Sequence, residues 1–226
     1  MNDPVPSVTV LICVRNGADY LTEAIISAQR QSVPPAQVLV VDDGSRDGSA
    51  AAADAAGATV VRQPPLGLAA ARNEGVRRAE GTLVAMLDAD DLFVVDALQN
   101  MCAALRPRSD AIGCVGRRQH FISPELTAEP EFTGTAPPAD AGPCVLPAGG
   151  LWRRESLLSE PFDTSLVTPD LDWVNRCREL GRITLLLDDV VFHRRVHRNN
   201  MSRDVEVRAA YLDVARAALT RRARRV

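Results

Sequence analysis

The sequence predicts one α/β domain in which a mainly parallel sheet is flanked by helices on both faces. Two observations support this fold class. Short runs of aliphatic and β-branched residues alternate with segments of helical periodicity, and the links between them are short. Polar residues, most of them acidic, directly follow several of these runs. Because ligands bind beyond the carboxyl ends of the strands in such sheets, we expect one binding site along this edge.

Strands and helices alternate regularly in the first part of the chain. The strands predicted from apolar runs cover residues 8–14, 37–41, 58–62 and 82–87. The helices predicted from apolar spacing and from glycine or proline stops cover residues 19–31, an alanine-rich segment that ends at Gly57, and residues 68–80.

The second part of the chain has a less regular pattern. Residues 119–147 are rich in proline and predict a long irregular loop. A helix is predicted from Asp170 to Leu180. A last, amphipathic helix is predicted from Arg203 onward, and we expect it to pack on the body or on another subunit, as in a homodimer. Its predicted packing residues are Val207, Tyr211, Val214 and Leu219.

The charge of the chain is distributed unevenly. The net charge of the 226 residues is -3, but residues 216–226 carry five arginines and no acid, so that residues 1–215 sum to -8. An acidic body argues against a nucleic-acid partner. Two interpretations of the basic tail stay open: a solvated, frayed helix end, or a weak contact with an anionic membrane surface or with RNA.

Composition also excludes several classes of protein. Every basic side chain other than histidine is arginine, so the lysine of a P-loop and the lysine of a Schiff-base enzyme are both absent. The glycine fingerprint of a dinucleotide-binding fold is missing as well. Five cysteines form no C-x-x-C pair, and no apolar run is long enough for a signal sequence or a membrane span. We therefore expect a cytoplasmic protein.

The acidic segment Leu87–Asp91 is the strongest candidate site. It ends an apolar run, and its alternation places Asp88 and Asp90 on the same side of an extended chain. Carboxylates crowded at the mouth of a buried strand repel one another, and a divalent cation relieves the repulsion. A solvated turn or the N-cap of a following helix is the alternative interpretation.

Three other polar residues share this edge: Asn16 follows the first strand, and Asp42 and Asp43 follow the second. Carboxylates at strand ends accept hydrogen bonds from ribose hydroxyls or from a base, and a metal can neutralise a diphosphate. A nucleotide with a diphosphate and a metal is the simplest ligand that suits this set of groups.

Several motifs, in this order and spacing, resemble those of the family 2 glycosyltransferases. They are the strand 8–12 followed by Asn16-Gly17, the segment Val40–Ser49, the segment Gly67–Gly75 with Arg72 and Asn73, and the D-x-D motif of Leu87–Asp91. The resemblance implies a single-domain GT-A fold, a nucleotide-sugar donor that is usually linked to UDP, and a Mn²⁺ or Mg²⁺ ion at the D-x-D motif.

The resemblance also assigns roles to residues. Asp42 and Asp43 would hold the nucleoside, and Asp88 would hold the ribose or the sugar. The nucleotide-sugar site implied in this way comprises Cys13, Arg15, Asn16, Asp42, Asp43, Gly67, Arg72, Asn73, Asp88, Ala89 and Arg195. The implied metal site comprises Asp88, Asp90 and His197. The family commonly has an aromatic residue where Arg15 stands, and a guanidinium can also stack on a base.

Residues 168–173 resemble the acceptor side of the same family. An inverting transfer needs a base that deprotonates the acceptor as it attacks the anomeric carbon. Asp170 is the closest match to that base and Asp172 is the alternative, because Pro169 stands where the first acid of the pair is usual. Asp170 as the N-cap of its helix is the purely structural interpretation.

We divide the single domain, residues 1–226, into a nucleotide-sugar half (8–118), an acceptor or catalytic half (119–202), and a C-terminal helix with its basic tail (203–226). The expected acceptor is open between a glycan, a lipid, a peptide and a small natural product. A nucleotidyltransferase and a non-catalytic sugar-nucleotide-binding protein are the two alternative functions.

Overall fold

One mixed sheet runs through the protein, whose structure, a computed structural model, describes residues 7–126, 142–143, 146–201 and 205–223. Its strands are β1 (Val8–Val14), β2 (Gln37–Asp43), β3 (Thr59–Gln63), β4 (Leu83–Asp88), β5 (Leu92–Phe93), β6 (Ala111–Ile122), β7 (Gly142–Pro143), β8 (Gly150–Arg153) and β9 (Ile183–Val196). The helices are α1 (Ala18–Gln29), α2 (Ser49–Ala55), α3 (Leu68–Arg78), α4 (Ala97–Leu105), α5 (Arg154–Ser159), α6 (Pro169–Glu179) and α7 (Val205–Ala223).

The strand order within the described residues is β3-β2-β1-β4-β8-β6-β9-β5, and β7 pairs with β6. The strands β1 to β4 are parallel to one another, as the alternation of strands and helices predicted. Strand β8 then runs antiparallel to both β4 and β6, while β9 lies parallel to β6. The predicted fold class, a mainly parallel sheet flanked by helices, is confirmed.

The two faces of the sheet bury different helices because successive strand residues point to opposite sides. From β1, Val10 and Ile12 belong to the core cluster that includes α1 and α4, whereas Leu11 belongs to the cluster that includes α3 and α6. In the second cluster the rings of Trp152 and Trp173 meet edge to face, with centroids 4.8 Å apart. Burial on both faces explains why these strands are almost wholly aliphatic.

The predicted loop over residues 119–147 is wrong at its beginning. Strand β6 continues to Ile122 and pairs with β9, so that His120, Phe121 and Ile122 lie opposite Arg194, Arg195 and Val196. The partner strand is distant in sequence, and the run of polar and aromatic residues alone gave no sign of it. Most of the remaining part of the predicted loop, residues 127–141 and 144–145, lies outside the described residues.

Helix α7 packs against α6. Val207, Val214 and Ala218 are buried among its described side chains, whereas Leu219, predicted to pack on the body or on another subunit, is 64% exposed in the chain. The step of four residues from Val214 to Ala218 continues the buried face, and Leu219 is turned away from it. Residues 203–204 of the predicted helix lie outside the described residues. None of the helices in the described part of the chain combines the length and apolar character that a membrane span requires.

Gly113 of β6 leaves room for the ring of Trp152, which lies opposite it on the neighbouring strand β8. A Cβ atom at Gly113 would lie 2.4 Å from the Trp152 ring and 2.6 Å from the carbonyl oxygen of Leu151, which is fixed by the sheet. We expect Gly113→Ala to lower the free energy of unfolding by about 1–3 kcal/mol, as overpacking does in other cores. Urea denaturation measures the change. Gly48→Ala is the control without overpacking, because a Cβ there meets nothing within 4 Å, and only its position as the N-cap of α2 disfavours alanine; a loss at Gly113 no larger than that at Gly48 would contradict the prediction.

Candidate active site

Three carboxylates converge where β4 ends. Asp88 is the last residue of β4, and a turn in which the Asp91 N–H donates to the Asp88 carbonyl (3.2 Å) brings the chain back toward it. Carboxylate oxygens of Asp88, Asp90 and Asp91 all lie within 4.8 Å of one another. The N-cap interpretation of this segment is wrong, because β5 and not a helix follows it. Sequence analysis did not assign Asp91 to the metal site, although its position beside Asp90 was the available signal.

The electrostatics of this group favour a cation. Burial raises the pKa of Asp88, and the charge of Asp90 raises it further, while Arg72 lowers it. Burial, followed by the charges of Asp90 and Asp88, holds the pKa of Asp91 well above its usual value. A divalent cation would remove this repulsion, and a set of carboxylate oxygens is what Mg²⁺ and Mn²⁺ prefer. The residues present therefore fit the implied metal.

Arg72, on α3, connects this acidic loop to the first turn of α6. Its guanidinium is 4% exposed and contacts Asp88 Oδ1 through Nη2 at 3.3 Å. Its Nη1 atom forms an ion pair with Asp170 in the first turn of α6. Asp170 is not the N-cap of that helix, because Thr168 occupies this position. One buried cation thus joins the loop at the end of β4 to the predicted base.

Asp172, the alternative base, lies in a different environment. Its Oδ2 atom accepts a hydrogen bond from Arg176 Nε at 2.8 Å, an i,i+4 contact along α6. Its side chain is 10% exposed, and that of Asp170 is 8% exposed. The two carboxylates are thus equally buried but differently engaged, and Asp170 is the one that the Arg72 contact links to the acidic loop.

His197 reaches the acidic loop from the residues that follow β9. Its Nε2 atom lies 2.8 Å from Asp90 Oδ2, and Asn200 Nδ2 donates to the same oxygen at 3.2 Å. Asn200 Oδ1 in turn accepts the His197 backbone N–H at 2.7 Å. The ring is buried and packs against Tyr20, with centroids 4.6 Å apart. The structure thus places His197 beside Asp90, and its role as a metal ligand stays a prediction.

Arg195 is buried between two aromatic rings. Its guanidinium carbon lies 4.7 Å from the ring centroids of both Tyr20 and Phe121. Its side chain is 3% exposed, and its Nη2 atom contacts Glu23 at 2.7 Å. Its Nε atom donates to the Asp90 carbonyl at 3.0 Å. The Arg195 backbone N–H donates to Asp91 Oδ1 at 2.9 Å. These contacts make Arg195 a support of the acidic loop, and sequence analysis did not identify the aromatic side chains that hold it.

The loops after β1 and β2 are joined by side-chain hydrogen bonds. Asn16 has a left-handed backbone conformation, with φ at 55°. Its N–H donates to Ser45 Oγ at 2.9 Å, and its Oδ1 accepts the Arg46 N–H at 2.8 Å. The Ser45 N–H donates to Asp42 Oδ1 at 3.0 Å. Asn16 and Asp42 therefore shape the edge on which a nucleoside would lie.

Asp43 is engaged by the loop that precedes α3. Its carboxylate accepts hydrogen bonds from Gln63 Nε2 at 2.7 Å and from the N–H groups of Leu66 and Gly67 at 2.8 and 2.9 Å. Gly67 has φ at 92°, a conformation that glycine adopts without strain, and it directly precedes α3. Asp43 thereby fixes the beginning of the helix that carries Arg72.

Four other predicted residues complete the edge. Asn73 exchanges two hydrogen bonds with the backbone of Phe162, at 2.8 and 2.9 Å. Cys13 lies opposite Asp88 in the register of β1 and β4, and burial raises the pKa of its thiol to about 12. Ala89 is half-buried and Arg15 is exposed. The roles of these residues in binding a donor stay predictions.

Comparison with known proteins shows the family to which the chain is similar. The family model for glycosyl transferase family 2 matches residues 9–147. The succinoglycan biosynthesis protein ExoO of Rhizobium meliloti is 38% identical over 115 residues, which cover 49% of this chain and 32% of that protein. An uncharacterized Nostoc glycosyltransferase is 27% identical over 214 residues, covering 85% of this chain and 66% of that protein. The alignments to the first relatives span less than half of their length.

Solved structures share the fold over nearly all of this chain. Staphylococcus aureus TarS in complex with UDP-GlcNAc superposes with a TM-score of 0.73 at 17% identity, over 94% of this chain and 65% of that chain. The glucosyl-3-phosphoglycerate synthase of M. tuberculosis superposes with a TM-score of 0.65 at 19% identity, over 96% and 80% of the two chains. At these identities the likeness shows the fold, and the predicted GT-A fold is confirmed.

Metal binding at the acidic loop can be measured directly. We expect Mn²⁺ at about 100 times its dissociation constant to stabilise the protein by about 3 kcal/mol, because it binds the folded chain and not the unfolded one. Asp90→Asn should abolish this stabilisation in thermal denaturation. Asp96→Asn, an exposed carboxylate outside the acidic group, is the control. Retention of the metal effect in Asp90→Asn would exclude a metal site at this loop.

The stacking of Arg195 can be separated from its charge. We expect Arg195→Lys to lower the free energy of unfolding by about 1–3 kcal/mol, because an ammonium group retains the charge but cannot stack between two rings and donate in a fork. Chemical denaturation measures the loss. The matched control is Arg46→Lys, because Arg46 is exposed. An Arg195→Lys variant as stable as the wild type would contradict the conclusion that Arg195 supports the acidic loop.

Proposed function

As the chain belongs to glycosyl transferase family 2, we propose that it transfers a sugar from a nucleoside-diphosphate donor to an acceptor hydroxyl with inversion at the anomeric carbon. We further propose UDP as the nucleoside diphosphate, on the support of the TarS structures, which were determined with UDP and with UDP-GlcNAc. The chain spans less than half of the length of the first relatives that it matches. We therefore propose its activity and do not take it from those relatives.

The observation that carries this function is the position of Arg72 between Asp88 and Asp170. Transfer requires a donor diphosphate and a base on opposite sides of the reacting carbon. The acidic loop supplies one side and the first turn of α6 supplies the other, and the shared guanidinium holds them within reach of a single small substrate. A donor-binding protein without catalysis would have no need for the second carboxylate at this place.

We assign the steps to residues as follows. Asp42 and the loop around Asn16 would hold the nucleoside, while Asp88, Asp90 and Asp91 would hold Mn²⁺ or Mg²⁺. When bound, the ion neutralises the charge that develops on the leaving diphosphate. Asp170 accepts the proton of the acceptor hydroxyl as that oxygen attacks the anomeric carbon.

Arg72 positions Asp170 before the donor arrives. The phosphate oxygens then compete with Asp170 for the guanidinium, because both are anions that bind its planar fork. His197 and Asn200 keep Asp90 oriented through their contacts with its Oδ2 atom. In this assignment the residues after β9 support the metal side of the reaction and do not contact the acceptor.

The acceptor that we propose is a hydroxyl of a carbohydrate. This rests on ExoO, a relative named for the biosynthesis of succinoglycan. We place the acceptor on the side of the edge formed by the beginning of α6, since Asp170 lies there. In this proposal the donor binds to the half formed by residues 8–118, and the acceptor binds to the half formed by residues 119–202, at the beginning of α6.

The test measures release of UDP from UDP-sugars in the presence of Mn²⁺ and carbohydrate acceptors, with binding of UDP measured separately by calorimetry. We expect Asp170→Asn to lower turnover by about 10²–10⁴-fold, which is the contribution of a general base, and to bind UDP at least as tightly as the wild type, because the substitution frees Arg72 for the phosphate oxygens. Asp172→Asn is the matched control, because it removes an equally buried carboxylate on the same helix.

Three results would contradict the proposal in different ways. UDP binding without turnover in the wild-type protein for any sugar tested would indicate a non-catalytic sugar-nucleotide-binding protein. Turnover of a nucleoside triphosphate with release of pyrophosphate would indicate a nucleotidyltransferase. A larger loss of turnover in Asp172→Asn than in Asp170→Asn would assign the base to Asp172.

A further inference from the structure

Three basic side chains lie on one face of the paired strands β6 and β9. His120 of β6 lies opposite Arg194 of β9, and Arg118 precedes His120 by two residues on the same strand. Because successive residues of a strand point to opposite sides, these three side chains share a face, and Arg195 points to the other one. The basic cluster of Arg118, His120 and Arg194 is therefore distinct from the arginine that supports the acidic loop.

Two members of this basic cluster have no counter-charge within the described residues. Arg118 Nε and His120 Nε2 are buried, and neither atom has a hydrogen-bond partner. By contrast, Arg72 and Arg195, the two other buried arginines of the site, each contact a carboxylate. Buried polar groups in folded proteins nearly always have a partner, so a ligand that supplies the missing hydrogen-bond acceptors is the explanation that we pursue.

The electrostatic potential at the basic cluster is positive. Burial lowers the pKa of His120, and the charges of Arg118 and then Arg194 lower it further. Arg194 also lowers the pKa of Asp88 and of Asp91. The cluster therefore lies close enough to the acidic loop for its charge to act there, while its own members repel one another. An anion bound at the cluster would remove this repulsion.

The sheet places the basic cluster on the side of the acidic loop that is away from the nucleoside loops. The strand order runs β2-β1-β4-β8-β6-β9. The nucleoside is proposed to bind at the loops after β1 and β2, and β4 carries the acidic loop. Strand β6 is two strands beyond β4, which is about 10 Å at the usual spacing. Helix α6, which carries the proposed base, packs through Trp173 on Trp152 of β8, the strand between them. A group bound at the cluster therefore belongs to the acceptor.

We propose that Arg118 and His120 bind an anionic group, a phosphate or a carboxylate, of the carbohydrate that accepts the sugar. The proposal rests on the proposed transferase function and narrows its acceptor to an anionic carbohydrate. The guanidinium of Arg118 donates from its planar fork to two oxygens of such a group, and the ring N–H of His120 donates one further hydrogen bond. A neutral acceptor would leave these buried donors without acceptors.

Calorimetry with three sugars that differ in one group tests this subsite. Glucose, glucose 6-phosphate and glucuronate are titrated into the full chain with UDP and Mn²⁺ present, so that the donor site is filled. We expect the more tightly bound of the two anionic sugars to bind at least about tenfold more tightly than glucose, because a hydrogen bond to a charged group contributes about this factor. The order of the two anionic sugars distinguishes a phosphate from a carboxylate.

Arg118→Gln tests the contact itself. We expect it to lower the affinity for the anionic sugar about tenfold and to leave the affinities for glucose and for UDP within about twofold. Urea denaturation should show no loss of stability, because Arg118 Nε has no partner in the described part of the chain. Arg118→Lys keeps the charge without the fork, and its affinity should lie between those of the wild type and Arg118→Gln. The matched control is Arg106→Gln, which removes the charge of an exposed arginine on α4 and should change none of these affinities.

Three results would overturn the proposal. The first is equal affinity for glucose and the anionic sugars, or no binding of any of them. The second is an equal loss in Arg118→Gln and Arg106→Gln, because the effect would then come from net charge alone. The third is a loss of UDP affinity in Arg118→Gln as large as the loss for the anionic sugar, because the cluster would then bind the donor diphosphate. UDP binding and UDP release are measured on the same variants, so that a failure of the transferase function is recognised separately from a failure of anion binding.

Discussion

The buried guanidinium of Arg72 is the contact on which the acidic edge depends. Arg72 contacts the carboxylates of Asp88 and Asp170. The Asp88 carboxylate in turn lies close to those of Asp90 and Asp91. A buried charge without a partner is costly, and one cation shared by Asp88 and Asp170 reduces this cost for two elements at once. Arg72 also limits the distance between two elements. Because its side chain contacts both, the end of β4 and the beginning of α6 cannot lie farther apart than that side chain reaches.

The position of Arg72 is itself determined by residues that are not near the reacting atoms. Asp43 fixes the loop before α3, and Asn73 fixes α3 to the backbone of Phe162. On the other side of the acidic loop, Arg195 lies between Tyr20 and Phe121 and holds the Asp90 carbonyl. Two arginines therefore hold the acidic loop. Arg72, carried by α3, contacts Asp88, and Arg195, placed between two aromatic rings, donates to the Asp90 carbonyl.

Local patterns explain which parts of the structure the sequence predicts. The strands β1 to β4 and their intervening helices follow from periodicity, and the acids at the strand ends follow from the parallel order. Pairings between distant segments were not predictable in this way. The insertion of β8 between β4 and β6, and the pairing of β6 with β9 as far as Ile122, depend on contacts that no local pattern encodes.

The same limit applies to the site. The D-x-D motif and Asp170 were found from residue types and from the resemblance, but their connection through Arg72 was not. The setting of Arg195 depends on one aromatic residue from α1 and another from β6, which lie about a hundred residues apart in the chain. A sequence pattern identifies the residues that carry charge, whereas the direction in which each side chain points is decided by its neighbours in space.

The hydrogen bonds of Asp42, Asp43 and Asn16 have a thermodynamic consequence for any ligand of this edge. These side chains already hold the loops after β1, β2 and β3 in place before a ligand is present. Binding then requires little ordering of the backbone, so the entropy lost on association comes mainly from the ligand itself. For the same reason we expect association at this edge to proceed as docking to a preformed surface, with a rate set by diffusion and orientation and not by folding of the loops.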